Sequence, residues 1–206
     1  MSATTTIVNP FALGNRCDMS FTIKTDAGLL DPARLCMSPN RDARPAGVHP
    51  SLVIVHGISL PPGQFGGPEI EDLFCNRLDW EAHSYFDGIR GLEVSAHVLI
   101  RRDGEVVQFV PFAERAWHAG DSLFRRRSRC NDFSIGIELE GEDATAYEDA
   151  QYDALSGIIA ALIRAYPDIT ARNVAAHSDI AAGRKTDPGP AFDWLRLYDG
   201  LNAQLS

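Results

Sequence analysis

The chain has 206 residues, of which 45% are hydrophobic and 23% charged, the balance of an ordinary soluble globular protein with one domain's worth of residues. Nineteen basic against 28 acidic side chains give a net charge of −9, which argues against a general binder of nucleic acid or anionic membrane. Four cysteines, Cys17, Cys36, Cys75 and Cys130, lie far apart with no Cys-x-x-Cys, so neither a disulfide scaffold nor a Cys-rich zinc site is expected.

Residues 1–45 read as an N-terminal arm, partly flexible, over a domain of residues 46–206. The arm starts with the polar stretch Ser2–Thr6, carries Met19 as a possible alternative start, and ends in the loop-like run Ser38–Pro45. Within it, Phe21–Ile23 predicts a short strand and Leu29–Leu35 a helical turn. Met1–Asn15 has no basic n-region and no apolar run of signal-peptide length, and no stretch reaches the about 18 apolar residues of a membrane span. The expectation is a cytoplasmic protein.

Leu52–Val55 is a β-branched run that predicts a central strand buried on both faces, ending at His56-Gly57. Pro68 is suited to position N1 of a helix carrying Ile70, Leu73, Phe74 and Leu78. Val94–Ile100 and Val106–Val110 predict two strands joined by a turn at Asp103-Gly104. Phe133–Leu139 predicts a further strand with Ser134, Gly136 and Glu138 on one face. Thr145-x-x-Glu148 reads as a capping box opening a helix with the stripe Tyr152, Leu155, Ile158, Ile159, Leu162 and Ile163, stopped by Pro167. Asn173–His177 predicts a short strand, and Pro190 opens a terminal helix with Phe192, Trp194, Leu195 and Leu197. The order predicts an α/β (α+β) single domain with a central mixed β-sheet flanked by helices.

Six histidines are the natural place to seek chemistry. His56 ends a buried strand before a Gly-rich loop, the edge where open sheets build sites. His177 precedes the rigid loop Arg184–Pro190, which presents Lys185 and Asp187. Two imidazoles and one carboxylate leave a tetrahedral zinc with an open position for water. Each residue also has a plain structural reading: Asp187 as a turn residue before proline, Lys185 as a solvated cation, Glu138 as an outward residue on an edge strand. His97 reads as a satisfied core histidine, with the orientation of a zinc ligand as its alternative. Arg125–Arg127 reads as a solvated basic run.

The segments SLVIVHGISLPPGQFGGP, VSAHVLIRRDGEVVQFVPFAERAWHAG, CNDFSIGIELEG and HSDIAAGRKTDPGPAFDW together resemble the zinc N-acetylmuramoyl-L-alanine amidases, and among them the cytoplasmic amidases of cell-wall recycling. Peptidoglycan recognition proteins share that fold more distantly. The resemblance covers about residues 50–197 and implies an amidase/PGRP-like domain. By that resemblance His56, His177 and Asp187 match the ligands of one catalytic Zn2+, Glu138 the general base and Lys185 the cation that stabilises the oxyanion. Trp117 and His118 match the wall that meets the sugar and lactyl group, Arg129 a contact to the substrate peptide, and Asp179 a residue behind the ligands. The implied substrate is a muropeptide, cut between the lactyl group of (1,6-anhydro)-N-acetylmuramic acid and L-alanine, with no nucleic-acid or membrane partner; the oligomeric state is open, a monomer being compatible. Gly57 and Glu93 depart from residues common in the family, asparagine and arginine, which bears on how the stem peptide is gripped. Two other functions are carried alongside: a muropeptide recognition module that does not cut, and an exported amidase acting on intact peptidoglycan.

Overall fold

The computed structural model of the protein describes residues 20–206. Ser2–Thr6, Cys17 and the alternative start at Met19 lie outside the described residues. The central sheet has six strands in the spatial order Val174–Ala176, Leu52–Ile58, Ser134–Glu140, Val98–Ile100, Val106–Gln108, Arg34–Leu35. The first four run parallel; Val106–Gln108 returns antiparallel, and Arg34–Leu35 adds a parallel edge strand. The helices are α1 (Glu69–Phe74), α2 (Asp149–Ala165), α3 (His177–Ile180) and α4 (Trp194–Leu205).

Both faces of the parallel strands are covered, which is why Leu52–Val55 reads as an unbroken apolar run. Val53, Val55, Ile135, Ile137 and Leu139 pack against the α2 stripe of Tyr152, Leu155, Ile158, Ile159 and Leu162, together with Leu197 and Leu201 of α4. Each fully buried aliphatic side chain there contributes ~1.5–3 kcal/mol relative to exposure. On the opposite face Leu52 and Ile54 meet Phe133, Ala175 and Ile180, while Leu99 and Val107 meet Ile70, Leu73 and Phe74 of α1. The site described below opens on this second face.

Several boundaries differ from expectation for identifiable reasons. Leu29–Leu35 forms no helical turn: Leu29–Asp31 pairs antiparallel with Thr22–Lys24, and Arg34–Leu35 joins the sheet. Of Val94–Ile100 only Val98–Ile100 is strand, because Ser95 and His97 spend their backbone amides on Trp117 and Gly136 carbonyls. Pro68 is the N-cap of α1, which stops at Phe74, short of Leu78. The capping box of α2 is formed by Glu148 and Gln151, whereas the Thr145 hydroxyl donates to Glu142. His177 opens α3 instead of ending a strand, and α4 starts at Trp194, capped by the Asp193 carboxylate.

Within the described residues, the segment before residue 46 contributes to the core and to the sheet. Phe21 and Leu30 are buried against α2, and Arg41–Ala43 pairs with Glu114–Ala116. Arg44 is half-buried, and its guanidinium donates to the carbonyls of Phe112, Asn131, Asp132 and Ser134. Among the described residues no helix is long and apolar enough to cross a membrane.

Candidate active site

Sheet register alone brings three functional side chains together. Glu138 is the register partner of His56, and Ala176 is the partner of Val55, so His177, the next residue, falls beside His56. Neighbouring strands lie about 4.8 Å apart, which sets Glu138, His56 and His177 side by side at the C-terminal edge of the sheet. Asp187 arrives from the loop after α3. That loop is tied down by Ser178 N donating to Asp187 O (3.1 Å) and Tyr147 Oη donating to Pro188 O (2.9 Å).

The donor atoms converge. His56 Nδ1 lies 2.9 Å from His177 Nδ1 and 3.4 Å from Asp187 Oδ2, and His177 Nδ1 lies 3.0 Å from the same carboxylate oxygen. Donors at about 2.0–2.1 Å from a tetrahedral ion are spaced about 3.3 Å apart, so this triad matches one such ion with a position left open. Both histidines are almost fully buried. Burial, with the neighbouring His177 charge, pushes His56 down to about 4 against the pull of Asp187, so its imidazole is neutral at pH 7. Asp187 is desolvated, yet the hydrogen bond from His177 and the two neighbouring imidazoles hold its carboxyl well below the usual range.

A chain of hydrogen bonds sets the tautomer of His56. The Cys130 carbonyl only accepts, so Ser134 Oγ donates to it (2.6 Å) and accepts from His118 Nε2 (3.2 Å). Burial holds the pKa of His118 well below its ordinary value, so the ring is neutral and its Nδ1 carries a lone pair. That lone pair accepts from His56 Nε2 at 2.9 Å, which leaves the His56 Nδ1 lone pair aimed at His177 and Asp187. The His118 ring lies flat against the strand because residue 136 is glycine: a Cβ there would sit 2.5 Å from the ring.

Glu138 is buried, with Oε1 3.9 Å from His56 Nδ1 and Oε2 without a protein partner. Burial first, and then the Asp187 charge, raise its pKa well above the usual carboxylate range, while Lys185 pulls it down. Lys185 is exposed and lines the same cleft. Glu140, on the same strand face, is committed elsewhere: it pairs with Arg101 at 3.0 Å and accepts from Gly66 N at 2.6 Å.

The cleft has a volume of about 700 Å3. Its apolar side carries Leu60, Tyr85, Ile89 and Leu92; its polar side carries Glu142, Asp143, Arg184 and Lys185. Gly57 lines it too, with a Cβ excluded by Tyr147 Oη, which would be 2.3 Å away. Of the expected substrate contacts, His118 faces the cleft with both ring nitrogens already used by His56 and Ser134. Trp117 is half-buried and lies outside the lining. Arg129 also lies outside it, exposed and paired with Asp132 at 3.2 Å.

The remaining candidates are structural. His97 accepts from Gly136 N through Nδ1 (3.0 Å) and donates through Nε2 to Glu114 O (3.2 Å), so behind His56 it is His118 that makes the contact. Asp179 accepts from Ala176 N at the start of α3. Cys130 is fully buried, and burial pushes its thiol pKa up, away from nucleophile chemistry. Arg125 and Arg127 are spent on Asn173 with the Arg172 carbonyl, and on the Phe133 ring. Glu93 is exposed and outside the cleft lining. Sequence reasoning missed Ser134 and Tyr147; Ser134 had a signal, its place on the same strand face as Gly136 and Glu138.

Two imidazoles and a carboxylate converging on one point, with a buried glutamate and a lysine in the same cleft, are the equipment of a metal-assisted hydrolase. The N-acetylmuramoyl-L-alanine amidase family matches residues 46–190, and the chain belongs to that family of enzymes. It is 60% identical over 172 residues to the 1,6-anhydro-N-acetylmuramyl-L-alanine amidase AmpD of Citrobacter freundii, spanning 84% of this chain and 91% of that protein. A crystal structure of an AmpD selenomethionine derivative superposes with a TM-score of 0.83 at 58% identity, covering 85% of this chain and 98% of the other. AmpDh3 from Pseudomonas aeruginosa, in complex with anhydromuramic pentapeptide, gives a TM-score of 0.56 at 30% identity, covering 79% of this chain and 64% of that one.

Proposed function

We propose that the protein hydrolyses the amide between the lactyl group of 1,6-anhydro-N-acetylmuramic acid and the L-alanine of a stem peptide. In this reading it uses one zinc ion held by His56, His177 and Asp187, and it works in the cytoplasm on wall fragments. The observation that carries it is the convergence of those three donors beside the unpartnered Oε2 of Glu138. The similarity to AmpD and to AmpDh3 with its anhydromuramic peptide supports the anhydro sugar as substrate.

Zinc in the triad would polarise the scissile carbonyl and make a water molecule more acidic. The lone pair that the His118 relay leaves on His56 Nδ1 is what a metal requires of that residue. Glu138 handles the proton: its raised proton affinity favours taking one from the attacking water at the free Oε2, and the more basic departing alanine nitrogen then receives it. Lys185 supplies positive charge where negative charge gathers on the carbonyl oxygen. The apolar side of the cleft takes the sugar and the lactyl methyl group. We assign His118 to holding His56, Trp117 to the outer rim, and Arg129 to stem-peptide carboxylates that extend past the cleft.

The test is incubation of the purified protein with an anhydromuramyl tripeptide and with intact sacculi, each with and without a strong chelator. Release of the tripeptide from the small substrate alone, abolished by chelator and restored by zinc, is the expected result. Release from sacculi at a comparable rate would overturn the substrate, no release from either would leave only binding, and chelator-resistant cleavage would overturn the metal.

A further inference from the structure

Two cysteines that hydrolysis does not use face each other beside the cleft. Cys36 follows the edge strand Arg34–Leu35, Cys75 follows α1, and their sulfurs lie 3.5 Å apart. We propose that this pair is an oxidisable dithiol: a hydroperoxide converts it to a Cys36–Cys75 disulfide that staples the N-terminal segment to the cleft wall, and a small thiol reopens it.

The two sulfurs have unequal surroundings, as an attacking and a resolving thiol require. Cys36 is half-buried, between Leu35 and Met37, which are 50% and 40% exposed. The Arg77 guanidinium donates to Cys36 Sγ at 3.9 Å. Cys75 is buried, with its Sγ turned towards the carbonyls of Cys36 and Met37. Burial, reinforced by the Cys36 thiol, pushes the Cys75 pKa up to about 11, so Cys75 is a protonated thiol at neutral pH.

The backbone is already held for the bond. Asn40 Nδ2 donates to Asn76 Oδ1 at 2.8 Å, Asn76 Nδ2 donates back to Asn40 Oδ1 at 2.9 Å, and the Ser38 hydroxyl donates to Phe74 O. The sulfurs, 3.5 Å apart, need approach by only about 1.5 Å to reach bonding distance. Phe74 and Leu73, just before Cys75, line the cleft, so the staple would fix that wall to the sheet edge.

The chemistry balances with the peroxide as oxidant. The Cys36 thiolate attacks one peroxide oxygen, the O–O bond breaks, and the second oxygen leaves as water after protonation, giving a Cys36 sulfenic acid. The Cys75 sulfur then attacks the Cys36 sulfur; the S–S bond forms, the S–O bond breaks, and the hydroxyl leaves as water with the Cys75 proton. Two thiols lose two electrons, and for hydrogen peroxide two waters form.

The experiment treats the full chain with stoichiometric hydrogen peroxide. It then counts free thiols after denaturation, maps the cross-linked peptides by mass spectrometry, and records Tm before and after adding reductant. The expected result is a loss of two thiols, a Cys36–Cys75 cross-linked peptide, and a Tm raised by roughly 5–10 °C that reductant reverses. Cys36→Ser and Cys75→Ala should each abolish the cross-link and the Tm response, and Cys130→Ala should keep both. An unchanged thiol count, a cross-link through Cys17 or Cys130, or a Cys36 sulfinic acid with Cys75 still free would overturn the proposal.

Discussion

His118 stands directly behind His56, its Nδ1 2.9 Å from His56 Nε2, and that contact decides which nitrogen of His56 faces Asp187. A side chain matched by resemblance to the substrate wall thereby positions His56, a proposed metal ligand. His118→Ala should weaken zinc binding by roughly 10–100-fold, read by competition with a chromophoric chelator. Gly136→Ala should do the same, because the added methyl displaces the His118 ring. Unchanged affinity in both variants would remove the relay.

Gly57 and Tyr147 share one volume, since a Cβ at residue 57 would meet Tyr147 Oη at 2.3 Å. Gly57→Ala should therefore destabilise the protein by about 1–3 kcal/mol in denaturant unfolding. In a Tyr147→Phe background the obstructing oxygen is gone and the same substitution should cost much less. Additive effects would show that the phenol does not fill that space.

Much of this architecture is legible in the sequence where it follows strand periodicity. The run Leu52–Val55 announces a strand covered on both faces, and alternation along Phe133–Leu139 assigns Glu138 to the face opposite Ile137. What periodicity does not encode is which distant groups meet. Tyr147 is a buried aromatic until the Pro188 carbonyl is known to lie at its hydroxyl, and Arg44 sits in a loop-like run until four carbonyls converge on it. The capping box slips by one turn's worth of ambiguity: Thr145-x-x-Glu148 and Glu148-x-x-Gln151 both fit the spacing, and tertiary packing selects the second.

Glu71 of α1 links two arginines, Arg34 of the edge strand and Arg101. Hydrogen bonds from Arg34, and then from Arg101, lower its pKa to about 2 despite partial burial. A carboxylate depressed on folding stabilises the native state above its unfolded pKa, near 4.5, and that stabilisation is lost as pH falls towards 2. Solvent screening limits the contribution to about 1–2 kcal/mol. Glu71→Gln should lower stability at pH 7 by that amount and leave the pH 2–4.5 stability profile flatter than that of the parent chain. Identical profiles would remove the linkage.

Lys185 lines the cleft without belonging to the donor triad. Lys185→Ala should cut kcat on an anhydromuramyl tripeptide by roughly 10²–10³-fold. Zinc content and Tm should stay close to those of the parent chain. Undiminished turnover would remove the oxyanion role.

In the proposed reaction Glu138, with its unpartnered Oε2 beside the triad, moves the proton. The most direct test is the turnover of Glu138→Gln on an anhydromuramyl tripeptide, with bound zinc measured on the same sample. The expected result is one zinc per chain, as in the parent protein, and a kcat lower by roughly 10²–10⁴-fold. A zinc-loaded Glu138→Gln protein that turns over within about twofold of the parent would contradict that role.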